Sequence, residues 1–369
     1  MKKEHILVIR FSAMGDVAMV VPVVWSLAHQ YPDIRITVLS RTFARPFFED
    51  LAPNVGFMAA DLKHEYRGIK GLNALYRRLT AKQFTAVADL HGVLRSEYLR
   101  MRFTIGRYHV AHINKHRKGR RRITSASHKQ LTQQPTSFQN YVDVFAKLGY
   151  PVDIQFNSIF PPEGGNLNML PANMCVKNSF EQWIGIAPFA AHQGKTYPPR
   201  LMHQVIEQLL EHYPKGRIFF FGRGQQEDNF FTEWCAQHPR CVNASKDLES
   251  LHQELILMSH LDVMISMDSS NMHLASLTDT PVVSIWGATH PFAGFLGWRQ
   301  TTDNAIQIPL DCRPCSIFGN KPCLRGDYAC MQNIAPETIV EKVKSIINSN
   351  NENFTNYEKV HLRNLWLCV

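Results

Sequence analysis

An acid, two serines, an asparagine and a histidine crowd into MDSSNMH, residues 267–273, between the apolar run DVMIS and a segment of helical character. Hydroxyls and free amides at a helix start hold anions well, because the first four N–H groups of a helix lack intrahelical partners and the dipole is positive there. Asp268, Ser269, Ser270, Asn271 and His273 are therefore candidates for gripping a phosphate. The plainer alternative is a helix cap, in which Asp268 or Ser269 accepts from helix amides and His273 packs locally. Two residues in other loops suit the anion: Lys195 in FAAHQGK brings a positive charge, and Glu227 in GRGQQED can accept hydrogen bonds from a ribose. Asp16, next to Gly15 in SAMGD, has the carboxylate of a general base toward a hydroxyl, or of a cap on a helix starting near Val17.

Each of these loops follows an apolar run: HILVIR (5–10), WIGIAP (183–188), RIFFFG (217–222) and DVMIS (262–266). With IRITVLS (34–40), GFMAA (56–60), FTAVADL (84–90) and PVVSIWG (281–287) they read as buried strands separated by helices, among them 200–212, 225–237, 248–259 and a segment from SAMGD to about residue 30. Such alternation predicts parallel doubly wound sheets, whose ligands bind beyond the carboxyl ends of the strands. The Pro-, Gly- and Asn-rich stretch 161–178 reads as a linker, and Pro336 opens a C-terminal helix. The expected division is a domain at 1–165, a second at 166–340, and a helix and tail at 341–369 that pack back on them.

Two phosphate-binding motifs are missing. The first turn has one glycine in place of G-x-G-x-x-G, and the GKT at 194–196 lacks the earlier glycine of a Walker loop, since position 189 is Phe. That weakens a nicotinamide dehydrogenase reading. At 369 residues and 45% apolar, the chain can bury two cores, and no run of about twenty apolar residues suggests a membrane span. The N-terminal apolar stretch is too short for a signal peptide, so a cytoplasmic location is expected, with peripheral contact at the inner face of the inner membrane an extension of it. The net charge of +9 is concentrated: residues 98–142 hold ten Lys or Arg and no Asp or Glu. Such a patch attracts phosphates on a small substrate, a membrane face or nucleic acid, though no nucleic-acid module surrounds it; the bland reading is a solvated loop.

Two stretches carry a family resemblance. IRFSAMGDVAMVVPVVWSLAHQYPDIRITVLS and DSSNMHLASLTDTPVVSIWGATHP, with the Lys195 loop in order between them, resemble glycosyltransferase family 9, the heptosyltransferases of the lipopolysaccharide core. The resemblance implies an α/β chain of GT-B fold, two Rossmann-like doubly wound domains facing a central cleft. It further implies metal-free, inverting transfer of a heptose or related sugar from a nucleotide-diphosphate donor, ADP-heptose-like, to a lipid-linked saccharide. By that resemblance Asp16 is the catalytic base, Lys195 the diphosphate contact, Glu227 a nucleoside contact, and Asp268, Ser269, Ser270, Asn271 and His273 the donor turn. Arg10 and Ser12 of the first motif, with Arg117, Arg120, Arg121 and Arg122 of the basic stretch, are expected at the acceptor, and the basic stretch also at an anionic membrane surface. The chain departs from the family pattern at Ser270, where glycine is common, near Asn271, where proline is common, and at Ala288, where proline is common in a Gly-Pro-Thr turn.

Two other functions fit parts of the pattern: a GT-B nucleotide-sugar epimerase, and a non-catalytic protein binding anionic polymer. No cofactor is expected for the chemistry. Cys312, Cys315, Cys323 and Cys330 begin like a metal site, but six residues separate the second pair where two are usual. A structural zinc or cluster and a set of reduced or redox-sensitive thiols both remain open, while Cys175, Cys235, Cys241 and Cys368 are scattered.

Overall fold

The structure is a computed structural model and describes residues 4–365. The expected tail at 366–369, with Cys368, lies outside the described residues. Two compact units result. One holds the described residues to Glu163 with Ser276–Asp279 and Pro291–Arg299; the other holds Gly164–Ala275, Thr280–His290 and the described residues from Gln300 on.

The first unit contains β1 (His5–Ile9), β2 (Arg35–Ser40), β3 (Val55–Ala59), β4 (Ala86–Asp89) and β5 (His109–His112), all parallel, in the order β3-β2-β1-β4-β5. Every residue of β1 and β4 is buried, as a strand covered on both faces requires, and this is why both read as apolar runs. The helix expected to run unbroken to residue 30 is two helices, Met14–Ala18 and Val21–Gln30, the second with Pro22 in its first turn, where a missing N–H leaves no bond unmade. β5 has no apolar run to announce it, because its two histidines are exposed. The basic stretch is also more ordered than a solvated loop: Arg117–Ile123 is a helix anchored by fully buried Ile123.

The second unit contains β6 (Trp183–Ala187), β7 (Arg217–Phe220), β8 (Cys241–Val242), β9 (Val263–Met267), β10 (Val282–Ile285) and β11 (Ala305–Ile306), again all parallel, in the order β11-β10-β9-β6-β7-β8. Helix Pro336–Leu365 packs on helix Pro199–His212 and on β9 and β10, and Ile339, Val340, Val343, Ile346 and Ile347 join the core of this unit.

In each sheet the chain builds outward on one side and then crosses back to the other. The strand order therefore reverses between β1 and β4 in the first unit and between β6 and β9 in the second. At such a switch point the loops leave in opposite directions and open a crevice at the carboxyl ends, which is where ligands of this fold bind.

Candidate functional site

At the switch point of the first unit, Arg10 directly follows β1. Its Nη2 lies 2.6 Å from Asp16 Oδ2, its Nη1 donates to the Leu90 carbonyl at 2.6 Å, and its guanidinium lies 5.9 Å from the Tyr141 ring centre. Burial works against the Arg10 charge, but Tyr141 and Asp16 outweigh it and its pKa is raised. The Asp16 carboxylate also accepts from the Ala13 amide at 3.2 Å, and the Tyr141 hydroxyl donates to the Asp16 carbonyl at 3.1 Å. The helix begins at Met14 rather than near Val17, so Asp16 lies within its first turn and reaches back to the Ala13 amide, a capping contact that coexists with the ion pair. The pair is lopsided: the Arg10 side chain is 8% exposed and that of Asp16 31%. Arg10, expected at the acceptor, lies beneath Asp16 with Nη1 and Nη2 engaged by protein, while its buried Nε has no hydrogen-bond partner among the described residues.

The loop after β4 completes this side. Fully buried Asp89 accepts from the amides of His91 and Gly92, both at 2.9 Å, and its other oxygen lies 3.5 Å from Arg100. His91 Nδ1 accepts from the Phe11 amide at 3.4 Å, which leaves Nε2–H to donate toward Ser12 Oγ at 3.4 Å. Burial, then Arg10 and Lys115, hold the His91 pKa down at about 3, so the ring is neutral at physiological pH.

The four arginines of the basic stretch, also expected at the acceptor, do not all face one cavity. Arg117 lines an open cavity of about 590 Å³ with Arg100, Lys115 and Lys118, and Arg121 and Arg122 are exposed on the same helix. Arg120 turns inward, its guanidinium 4.6 Å from the Phe295 ring centre, and burial lowers its pKa.

At the switch point of the second unit, Lys195 closes a short turn after β6 and Asp268 follows β9. Lys195 Nζ lies 3.1 Å from Asp268 Oδ2, which also accepts from the Thr289 hydroxyl at 2.8 Å. The burial is reversed relative to the first unit: the Asp268 side chain is 6% exposed and that of Lys195 16%. Asp268, expected in the donor turn, is paired with Lys195. Helix Ser270–Leu277 begins beside this pair, with Ser269, Ser270 and Asn271 half-buried at its start and His273 buried in its first turn. Ser269 Oγ lies 3.3 Å from Ser266 Oγ.

Ala288 ties this corner together. Its amide donates to the Gly194 carbonyl at 2.8 Å, and its own carbonyl accepts from the amides of Cys315 and Ser316 at 3.1 and 3.2 Å. Buried Arg313 donates to the carbonyls of Trp286 and Thr289, both at 3.0 Å, and to that of Gly287 at 2.5 Å. Gly319, at φ +76°, leaves room for the Lys195 stem, against which a side chain there would collide. Thr289 and Arg313 escaped sequence reasoning: no spacing rule selects a threonine in a turn, and Arg313 reads only as a charge between two cysteines.

Glu227 stands apart from the switch point, after β7. Its Oε2 accepts from the Arg223 amide at 2.7 Å, and burial raises its pKa. The same loop lines an open cavity of about 470 Å³ with Gly222, Gly224, Asp228, Ser245 and Lys246. Cys312, Cys315, Cys323 and Cys330 line one small cavity of about 20 Å³ with Arg313, and burial pushes the Cys330 thiol up to about 11. The described cysteines are all free thiols.

Two parallel doubly wound units are the architecture of the GT-B fold, and the solved structures agree. The chain superposes on the structure described as E. coli ADP-heptose lps heptosyltransferase II with a TM-score of 0.67 and 18% identity, covering 94% of this chain and 99% of that one. The profile of glycosyltransferase family 9 (heptosyltransferase) matches residues 72–325, and the chain belongs to that family. It is 22% identical over 304 residues to lipopolysaccharide heptosyltransferase 3 of Escherichia coli, covering 80% of this chain and 85% of the relative. A shorter match, 29% identical over 86 residues, is to lipooligosaccharide heptosyltransferase 2 of Campylobacter jejuni; it spans 23% of this chain and only 26% of that relative's length. Among the described residues no helix is long and apolar enough to cross a membrane.

Proposed function

We propose that the protein is an inverting heptosyltransferase, moving a heptose or related sugar from an ADP-heptose-like donor to a hydroxyl of a lipopolysaccharide core or other lipid-linked saccharide. The observation that carries this reading is the opposite burial of the two ion pairs. Arg10 is buried and Asp16 offered to solvent, which suits a base; Asp268 is buried and Lys195 the more exposed partner, which suits an anion. In this reading Asp16 removes the acceptor proton as the oxygen attacks the anomeric carbon, and the bond to the diphosphate breaks on the opposite face, inverting the configuration. Lys195 and the start of helix Ser270–Leu277, where the helix dipole is positive, take up the negative charge on the departing diphosphate, so the step needs no divalent ion.

Arg10 serves here as the group that holds Asp16, and Asp268 as the group that holds Lys195. Ser269, Ser270 and Asn271 meet the donor at the helix start, and the loop carrying Glu227 receives the nucleoside. Adenosine diphosphate is preferred as the leaving group because the similar E. coli structure is named for ADP-heptose. Exposed Arg117, Arg121 and Arg122 suit phosphates or carboxylates on the acceptor and an anionic membrane face on the cytoplasmic side. A metal determination on protein purified without chelator decides whether the cysteine cavity holds a structural zinc. Incubation with ADP-heptose, with and without a lipopolysaccharide-core acceptor, tests the function. Transfer only with acceptor, giving the inverted anomer by NMR, is expected; donor conversion without acceptor would replace this reading with an epimerase.

A further inference from the structure

We propose that the second unit carries a divalent-metal site made of His203, Glu207 and His238, apart from the Lys195–Asp268 pair and independent of the transfer reading. His203 and Glu207 are four residues apart on helix Pro199–His212, so both project from one face; His238 directly follows helix Gln225–Gln237. The ligand atoms of all three lie within 4.8 Å of one another.

The two imidazoles carry the inference. Their Nε2 atoms are 3.2 Å apart, with the rings inclined at 47°. Two nitrogens at about 2.0–2.1 Å from a tetrahedral ion are separated by about 3.3 Å, so this spacing is the edge of a zinc tetrahedron with little adjustment. Both histidines are half-buried, and the His203 ring stacks on Trp234 at 16° and 6.2 Å, which fixes its plane. Glu207 is exposed, so it closes the third corner from the solvent side and leaves the fourth to water. Two imidazoles and a carboxylate suit zinc, nickel or cobalt over magnesium or calcium, which favour all-oxygen shells. A bound ion would clamp helix Pro199–His212 to the end of helix Gln225–Gln237, the helix whose first turn holds Glu227.

The rival explanation is a plain hydrogen bond between the two rings, and zinc titration of the full chain separates the two. The expected result is one more equivalent bound by the wild type than by His203→Ala or His238→Ala, and a zinc-dependent rise in Tm that both variants lose. Glu207→Gln changes an exposed side chain, keeps the fold, and should weaken zinc at least about tenfold. Cobalt distinguishes the site from the cysteines: the wild-type-minus-His238→Ala spectrum should show visible ligand-field bands without thiolate charge transfer. Equal stoichiometry and affinity in wild type and all three variants would overturn the site, as would a difference spectrum dominated by thiolate.

Discussion

The two units put the same kind of ion pair at the same topological position and bury opposite halves of it. In the first, the cation lies underneath and the carboxylate outside; in the second, the carboxylate lies underneath and the cation is the more exposed half. A buried charge without a partner is costly, so the inner member fixes the outer one, and the outer member keeps a face for chemistry. Which sign ends up outside then sets what each unit can bind. The first can accept a proton; the second can accept an anion. In the proposed transfer the two units take complementary tasks, the first with both partners after β1 and the second with one partner after β6 and the other after β9.

The largest expected effect that tests this contrast comes from Asp16→Asn, which keeps the shape and removes the base. Turnover should fall by about 10²–10⁴-fold while ADP affinity, measured by calorimetry, stays within about twofold of wild type. If turnover persists, the outer carboxylate of the first unit is only a cap. Lys195→Ala comes next: kcat should fall by about 10²–10³-fold and, unlike the Asp16 variant, ADP should bind more weakly. Unchanged ADP affinity would remove the contrast between the two units. The smallest effect at neutral pH concerns stability. Burial holds His91 at about 3 and His290 at about 4, one near each pair, against about 6.5 in an unfolded chain. The unfolded chain therefore binds more protons between these values, so stability is complete above about pH 6.5 and declines as pH falls toward 4 and then 3. Urea midpoints at pH 7 and pH 5 should differ less in His91→Asn and in His290→Asn than in wild type.

Much of this was readable before any coordinates. Wherever a strand is buried on both faces, as β1, β4, β6 and β9 are, its apolar run places it to within a residue or two. β8 and β11 have two residues each and β5 has polar ends, so no run marks them. The polar loops were also legible, because each follows a run. Their neighbours were not: sheet order decides that the loop after β6 meets the loop after β9, while the Glu227 loop after β7 falls outside the switch point. Arg10 illustrates the same limit. An arginine beside a reactive loop reads as a ligand contact, and only the packing of β1 against β4 turns its guanidinium onto Leu90 and Asp16.

The family resemblance implies a proline where Ala288 stands, and the Ala288 amide donates to Gly194 in the loop that carries Lys195. Proline has no such donor, so restoring the common residue would break the tie between the two loops. The carbonyl of the same residue anchors Cys315 and Ser316, and Gly319 just beyond gives the Lys195 stem its room. Residues in one such network do not contribute independently. Positions 194, 288, 315, 316 and 319 should therefore couple: a proline at 288 combined with a side chain at 319 should cost something other than the sum of the two changes made singly.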